Sequence, residues 1–228
     1  MKTLIYQYYY SLPWNERSHH IMNDENKYSD YSRQSIKAYA DKFGHDYKFM
    51  DHKHPVSPFY SIFNPFTEGW AEEYDAICWM DADILATTTA DDVFSQFHPG
   101  KISAYFMETQ NRWKGGGIFE WFKDKGHANS GVIIWPRACY KFVREFTKDL
   151  QDLHDNRTVL ETSLGNFDQA QVNKILRELD AYKEMDKSWN YHLGRYPHEN
   201  RWNAHLIHYW RKFKPMLLKD FENDRILK

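Results

Sequence analysis

Ala76-Ile-Cys-Trp-Met80, followed at once by Asp81-Ala-Asp83, decides how this chain is read. Five apolar residues stand between Glu72, Glu73 and Asp75 on one side and two carboxylates on the other. That is the pattern of a buried central strand in an α/β sheet. Ligands in such sheets bind beyond the carboxyl ends of the strands, where Asp81 and Asp83 fall. Two carboxylates about 4 Å apart repel by roughly 4 kcal/mol at an effective dielectric near 20. A dry arrangement therefore needs a shared proton or a cation, and a divalent metal site is the expectation. A DxD triplet also arises by chance, one aspartate capping a helix and the other solvated, so other parts of the chain must supply corroboration.

Working outward, residues 3–8 read as a first strand and residues 28–43 as a helix with Ile36, Ala40 and Phe43 on its apolar stripe, stopped by Gly44. Residues 45–50 supply a second strand. Residues 59–71 read as a helix containing Pro65, residues 91–97 as a short helix capped by Asp91 or Asp92, and residues 102–107 and 128–135 as strands. Pro136 suits the first turn of a helix running to Leu153, residues 167–179 form another helix, and His205-Leu-Ile-His208 closes the sheet. Strands and helices alternate in the first half and then become irregular. This predicts a mixed sheet that begins as a Rossmann-like nucleotide-binding half. No GxGxxG follows the first strand, which argues against a dinucleotide cofactor, and Gly115-Gly-Gly117 lacks the Lys-Ser/Thr ending of a P-loop.

Composition narrows the class further. The chain has 228 residues, 30 basic and 32 acidic, for a net charge of −2. It is read as one domain, long enough to bury roughly 70 to 75% of its unfolded surface. The charge balance lacks the global footprint of a general nucleic-acid binder. Two cysteines, Cys78 and Cys139, form no CxxC pair, and no segment has the length of a membrane span or a signal peptide. A soluble cytoplasmic protein is the expectation. Aromatic residues are 18% of the chain, many among polar neighbours, as in Tyr8-Tyr-Tyr10 and Trp189-Asn-Tyr191; such rings suit stacking on sugars or a nucleobase.

From Tyr74 onward the chain resembles retaining glycosyltransferases of the GT-A fold, particularly glycosyltransferase family 8, which includes glycogenin and bacterial galactosyltransferases. Residues 74–84 are similar to that family's metal-binding segment and Asn129-Ser-Gly-Val-Ile-Ile134 to its sugar-binding strand. Asp168-Gln169 matches its Asp-Gln pair, Trp189-Asn190 its Trp-Asn pair, and residues 205–215 its closing segment. Five motifs in order over some 140 residues are far more specific than DxD alone.

The resemblance implies that Asp81 contacts ribose and metal, and that Asp83 and His208 ligate an ion bridging the diphosphate of a nucleotide sugar. Oxygen donors with one imidazole suit Mn²⁺ or Mg²⁺, the nitrogen favouring Mn²⁺. Lys214, six residues past His208, corresponds to the family's diphosphate-binding lysine. Ala82, Asn129, Ser130, Gly131, Asp168 and Gln169 would meet the donor, with Asp168, Gln169 and Lys214 as the catalytic set. Gln169 is no strong base, so front-face substitution with retention is expected.

The chain departs from the family in three places. Gln7, Tyr8 and Tyr9 stand where family 8 has an aspartate and an asparagine for the base, so Gln7 is expected to hydrogen-bond uracil and a tyrosine to stack on it. Arg211 replaces a glycine after the histidine, and a basic residue before DxD is missing near Asn64 and Pro65.

The expected function is metal-dependent transfer of a hexose, glucose or galactose favoured, from a UDP-sugar to a glycan or other hydroxyl acceptor, with residues 113–117 and 196–202 closing over the donor. A haloacid dehalogenase phosphatase would carry Thr or Val two residues past the second aspartate, where Leu85 stands. The alternative is a non-catalytic nucleotide-sugar or carbohydrate-binding module of the same fold, which the joint presence of Asp81, Asp83, His208 and Lys214 opposes.

Overall fold

The computed structural model describes residues 1–10, 25–107, 126–156 and 167–228; residues 113–117 lie outside them. Nine strands are described: β1 (Thr3–Tyr8), β2 (Asp46–Met50), β3 (Ala76–Met80), β4 (Ile84–Ala86), β5 (Ile102–Met107), β6 (His127–Pro136), β7 (Tyr182–Met185), β8 (Tyr191–His192) and β9 (Leu206–His208). The α-helices are α1 (Glu25–Phe43), α2 (Asn64–Thr67), α3 (Tyr140–Phe146), α4 (Leu150–Asp155), α5 (Phe167–Leu179) and α6 (Lys214–Phe221).

Six strands form a mixed sheet in the order β2-β1-β3-β6-β5-β7. β2, β1 and β3 run parallel, with α1 as the crossover, and β6 is antiparallel to both β3 and β5. Alternation along the strands divides the core between two faces. Leu4, Tyr6, Ile77, Trp79, Ile133 and Trp135 pack with Val172, Ile175 and Leu176 of α5. Ile5, Cys78, Met80, Val132 and Ile134 pack with Ile36, Tyr39 and Ala40 of α1. The apolar stripe read on α1 is thus the face that meets the sheet, and helices cover both sides of it. Among the described residues no helix is long and apolar enough to cross a membrane.

Several elements differ from the sequence reading. The helix expected over residues 59–71 is three short turns: a 3₁₀ turn Pro58–Phe63, α2, and a second 3₁₀ turn Trp70–Glu73. Gly69, at φ 82°, reverses the chain there in a conformation that side chains with a Cβ rarely adopt. Pro136 is the last residue of β6, and after a 3₁₀ turn Arg137–Cys139 the helix begins only at Tyr140. That helix is interrupted before Asp149, whose side chain caps α4 by accepting from Asp152 N at 2.9 Å. Residues 91–97 hold a single 3₁₀ turn, Val93–Gln96, capped by Asp92.

The last strand does not close the main sheet, whose edge is β7. β9 instead lies in a separate three-stranded sheet, order β4-β9-β8. α6 follows it and is anchored by Asp220, whose carboxylate accepts from Arg201 Nε at 2.7 Å, Arg201 Nη2 at 2.9 Å and Tyr209 Oη at 2.8 Å. The Asp220 side chain is only 4% exposed, so removing it strands a largely covered guanidinium, 15% exposed. Asp220→Ala is expected to lose about 3 to 5 kcal/mol of stability in urea unfolding.

Candidate active site

The site is built where β3 gives way to β4. β3 ends at Met80, opposite Val132, and the pairing extends by one bond as Asp81 N donates to Gly131 O at 2.8 Å. β4 starts at Ile84, opposite His208, and Tyr209 N donates to Asp83 O at 3.0 Å. Asp81-Ala82-Asp83 is therefore held at both ends, in one sheet before and another after. Because β6 runs antiparallel to β3, Asn129, Ser130 and Gly131 arrive beside the carboxyl end of β3. The first turn of α5 adds Asp168 and Gln169, and the start of α6 adds Lys214.

His208 Nε2 lies 3.2 Å from Asp83 Oδ1 and 3.5 Å from Asp81 Oδ2, and Lys214 Nζ lies 3.4 Å from Asp83 Oδ2. One ligand atom from each of Asp81, Asp83 and His208 lies within 4.8 Å of the others. Ligands about 2.1 Å from a small divalent ion stand about 3 Å apart when at right angles, so the spacing suits such an ion. Two carboxylates with one imidazole form a donor set for Mg²⁺ or Mn²⁺. The residues fit the metal that the DxD pattern implies.

The electrostatics agree. Burial pushes Asp81 up to about 7, Asp83 and Asp168 adding to the shift and His208 opposing it. Burial alone would raise Asp83 too, but Lys214 and His208 outweigh it and hold its carboxyl well below the usual range. Burial would lower His208, yet Asp83 and Asp81 raise it.

A cleft of about 260 Å³ opens over these groups. It is lined by Tyr8, Asp81, Ala82, Asp83, Asn129, Ser130, Asp168, Gln169, His208 and Lys214, all foreseen from the sequence, and also by Tyr9, Tyr10, Tyr28, Phe59, Trp79 and Trp210. Two foreseen residues do not line it. Gln7 is fully buried, its Nε2 donating to Ser32 Oγ and Asp81 O, each at 3.0 Å, and its Oε1 accepting from Tyr47 Oη at 2.8 Å. It braces the DxD backbone and has no free group for a base.

Gly131 lies under the imidazole: a Cβ there would meet His208 Cε1 and Nδ1 at 2.6 Å. Asn64, near which the resemblance led to the expectation of a basic residue, is buried and donates to Tyr6 Oη at 3.2 Å. The Asp168 carboxylate accepts from the backbone amides of Asp168 and Gln169 in the first turn of α5 and also bonds Ser130.

The residue that sequence reasoning passed over is Asn190. It is fully buried, donates to Asn129 Oδ1 at 2.7 Å and lies 2.9 Å from His208 Nδ1. Its membership of the Trp189-Asn190 pair was the available signal. Trp189 itself stacks on His205, ring centroids 4.0 Å apart. Of the two loops expected to close over the donor, residues 113–117 lie outside the described residues and residues 196–202 carry a 3₁₀ turn.

No protein-family model and no curated protein matches the chain. Solved structures do, and they define the class: the chain has the α/β, GT-A-type fold of glycosyltransferases. One is the glycosyltransferase involved in glycosylation of the major capsid of PBCV-1, with TM-score 0.61 and 10% identity over 97% of this chain and 99% of that one. The apo form of GlyE from Streptococcus pneumoniae TIGR4 aligns with TM-score 0.52 and 13% identity over 98% of this chain, which spans 61% of GlyE. Mouse xyloside xylosyltransferase 1 aligns with TM-score 0.50 and 14% identity over 91% of this chain and 97% of that one.

Two outcomes follow from the site's geometry. Gly131→Ala displaces the His208 ring and is expected to weaken Mn²⁺ binding about 10- to 100-fold in calorimetry, with the far-ultraviolet circular dichroism unchanged. Asp81 and His208 are both raised, so each holds a proton below its own value and must release it to ligate. Affinity for the ion should fall as the pH drops below about 7, where Asp81 takes up its proton, with protonation of His208 adding to the loss. Titrations in buffers of different ionisation enthalpy will register the released protons.

Proposed function

We propose that this protein is a metal-dependent hexosyltransferase of the family 8 kind, moving glucose or galactose from a UDP-sugar to a hydroxyl of a glycan or small acceptor with retention. The observation that carries the reading is the meeting of Asp81, Asp83 and His208 with Lys214, Asp168 and Gln169 around one cleft. Mn²⁺ is the proposed ion, with Mg²⁺ able to replace it, and the chain is taken to act as one domain.

In this reading the donor diphosphate sits at Asp81, Asp83, His208 and Lys214. A bound divalent ion supplies charge neutralisation of the departing nucleotide diphosphate. The Lys214 ammonium lies at the same place and meets the charge that develops as the glycosidic bond breaks. Asn129, Ser130, Asp168 and Gln169 orient the sugar, and an aromatic side chain among Tyr8 to Tyr10 stacks on the base. Phe59, 41% exposed at the cleft, offers an apolar face for a sugar ring.

Retention is supported by the absence of an obvious base among the described residues. Among the described residues the lining carboxylates are Asp81 and Asp83, assigned to the ion, and Asp168, engaged with Ser130 and the first amides of α5. The Gln169 amide accepts no proton at neutral pH.

The test is calorimetric titration with nucleoside diphosphates and UDP-sugars, with Mn²⁺ or with chelator, followed by assays of sugar release and transfer. Mn²⁺-dependent binding of UDP together with turnover of one UDP-sugar is expected. Binding without turnover, across a panel of acceptors, would favour the non-catalytic module. Lys214→Ala should reduce turnover about 10²- to 10³-fold. Asp168→Asn should spare UDP affinity and lower turnover to a similar extent; a loss of UDP binding instead would remove Asp168 from the sugar end.

A further inference from the structure

We infer that one backbone amide, Gly131 N–H, sets which nitrogen of His208 carries the hydrogen and so leaves a lone pair on the one facing Asp81 and Asp83, acting through Asn129 and Asn190, and that Asn190 is a positioning residue for the metal ligand. The inference rests on the metal-dependent reading of the site, and its mechanism stands on the direction of the hydrogen bonds.

An amide side chain has a donor end and an acceptor end, and which is which follows from its partners. Gly131 N can only donate, and it lies 3.0 Å from one terminal atom of Asn129. That atom must be Oδ1. The same Oδ1 receives a second bond at 2.7 Å from Asn190, so the Asn190 atom facing it must be Nδ2. Asn190 Oδ1 is then left facing His208 Nδ1 at 2.9 Å, and a carbonyl oxygen can only accept. The hydrogen of a neutral His208 is therefore on Nδ1.

Nε2 is left with its lone pair directed at the carboxylate pair, 3.2 Å from Asp83 Oδ1 and 3.5 Å from Asp81 Oδ2. A metal ligand needs that lone pair, and the bond made by the other ring nitrogen chooses the tautomer. The tautomer favoured by histidine free in water, with hydrogen on Nε2, would turn an N–H toward the ion.

The relay also runs the other way. Asn129 Nδ2, the end not engaged by Gly131, donates to Gln169 Oε1 at 3.3 Å. Gln169 thereby keeps its amino end for the cleft and meets ligand oxygens as a donor. The four side chains of the relay are at most 7% exposed and Gly131 is buried, so water does not readily substitute for a missing link, and the polarity fixed at Gly131 reaches both the metal end and the sugar end of the cleft.

The experiment is ¹⁵N NMR of histidine-labelled, metal-free protein, titrated until the His208 imidazole is neutral, combined with Mn²⁺ calorimetry. Wild type is expected to show His208 protonated at Nδ1. Asn190→Leu removes the acceptor and is expected to move the hydrogen to Nε2 and to weaken Mn²⁺ binding about 10- to 100-fold; Asn190→Ala serves if the leucine does not fold. Asn190→Asp keeps an acceptor opposite Nδ1, although its other oxygen meets Asn129 Oδ1 without a hydrogen; it should restore the Nδ1 tautomer and part of the affinity lost in Asn190→Leu, an outcome that a purely structural role would not produce.

A wild-type His208 protonated at Nε2 overturns the inference. So does an Asn190→Leu protein that retains the Nδ1 tautomer and wild-type affinity. Wild type with the Nδ1 tautomer but no affinity for Mn²⁺ supports the relay and removes the metal-dependent reading of the site.

Discussion

Everything at this site depends on the chain leaving one sheet and entering another within three residues. The bond from Asp81 N to Gly131 O ends the pairing of β3 with β6, and the pairing of Ile84 with His208 begins that of β4 with β9. Backbone hydrogen bonds on both sides remove the freedom that Asp81, Ala82 and Asp83 would have in a surface loop, and a buried backbone must satisfy its polar groups in this way. Ser32 and Gln7 complete the clamp from behind: Ser32 Oγ donates to Ile84 O at 2.7 Å, and Gln7 holds Asp81 O. The carboxylates are thus positioned by main-chain bonds more than by their own contacts.

Having fixed two acids side by side, the fold must neutralise them. Lys214 and His208 come from the C-terminal part of the chain and reach the pair because β9 lies beside β4 and α6 starts directly after it. Asp83 is held ionised by both cations, while Asp81, which has the weaker support, is pushed toward its neutral form. Such asymmetry between neighbouring carboxylates marks functional sites, where burial and like charge push paired groups apart. The amide chain from Gln169 through Asn129 and Asn190 to His208 ties the first turn of α5 to the carboxylate pair without adding charge, which a buried site can accommodate at lower desolvation cost than further ions.

Elements whose residues bury on both faces, or alternate over enough length, could be read directly. β1, β3, β5 and α5 occupy the residues expected of them, because their apolar content is dictated by sheet and core. The segment before β3 was misread because Tyr60, Ile62, Phe63 and Phe66 are all buried; its apolar content looks helical although Pro65 and Gly69 divide it. Pro136 fits a strand end as well as a helix start, since its fixed φ suits both. β7 was missed since Lys183 and Glu184 give it no alternating apolar pattern, and β8 has only two residues.

From the sequence alone came the class of fold, the DxD strand, and the identities of the acids, histidine, lysine and amides that the cleft gathers, because each lies in a motif with its own local signature. Tertiary structure alone decided which of them face the cleft. Gln7 has the same side chain whether it reads a base or braces a strand, and only the positions of Ser32, Tyr47 and Asp81 make it the latter. His208 is 125 positions beyond Asp83, and nothing local to either residue specifies that β9 will lie against β4 in a second sheet. The role of Asn190 is equally non-local. A hydrogen bond's direction is a property of its partners, and those of Asn190 are brought to it from β6 and β9 by the fold.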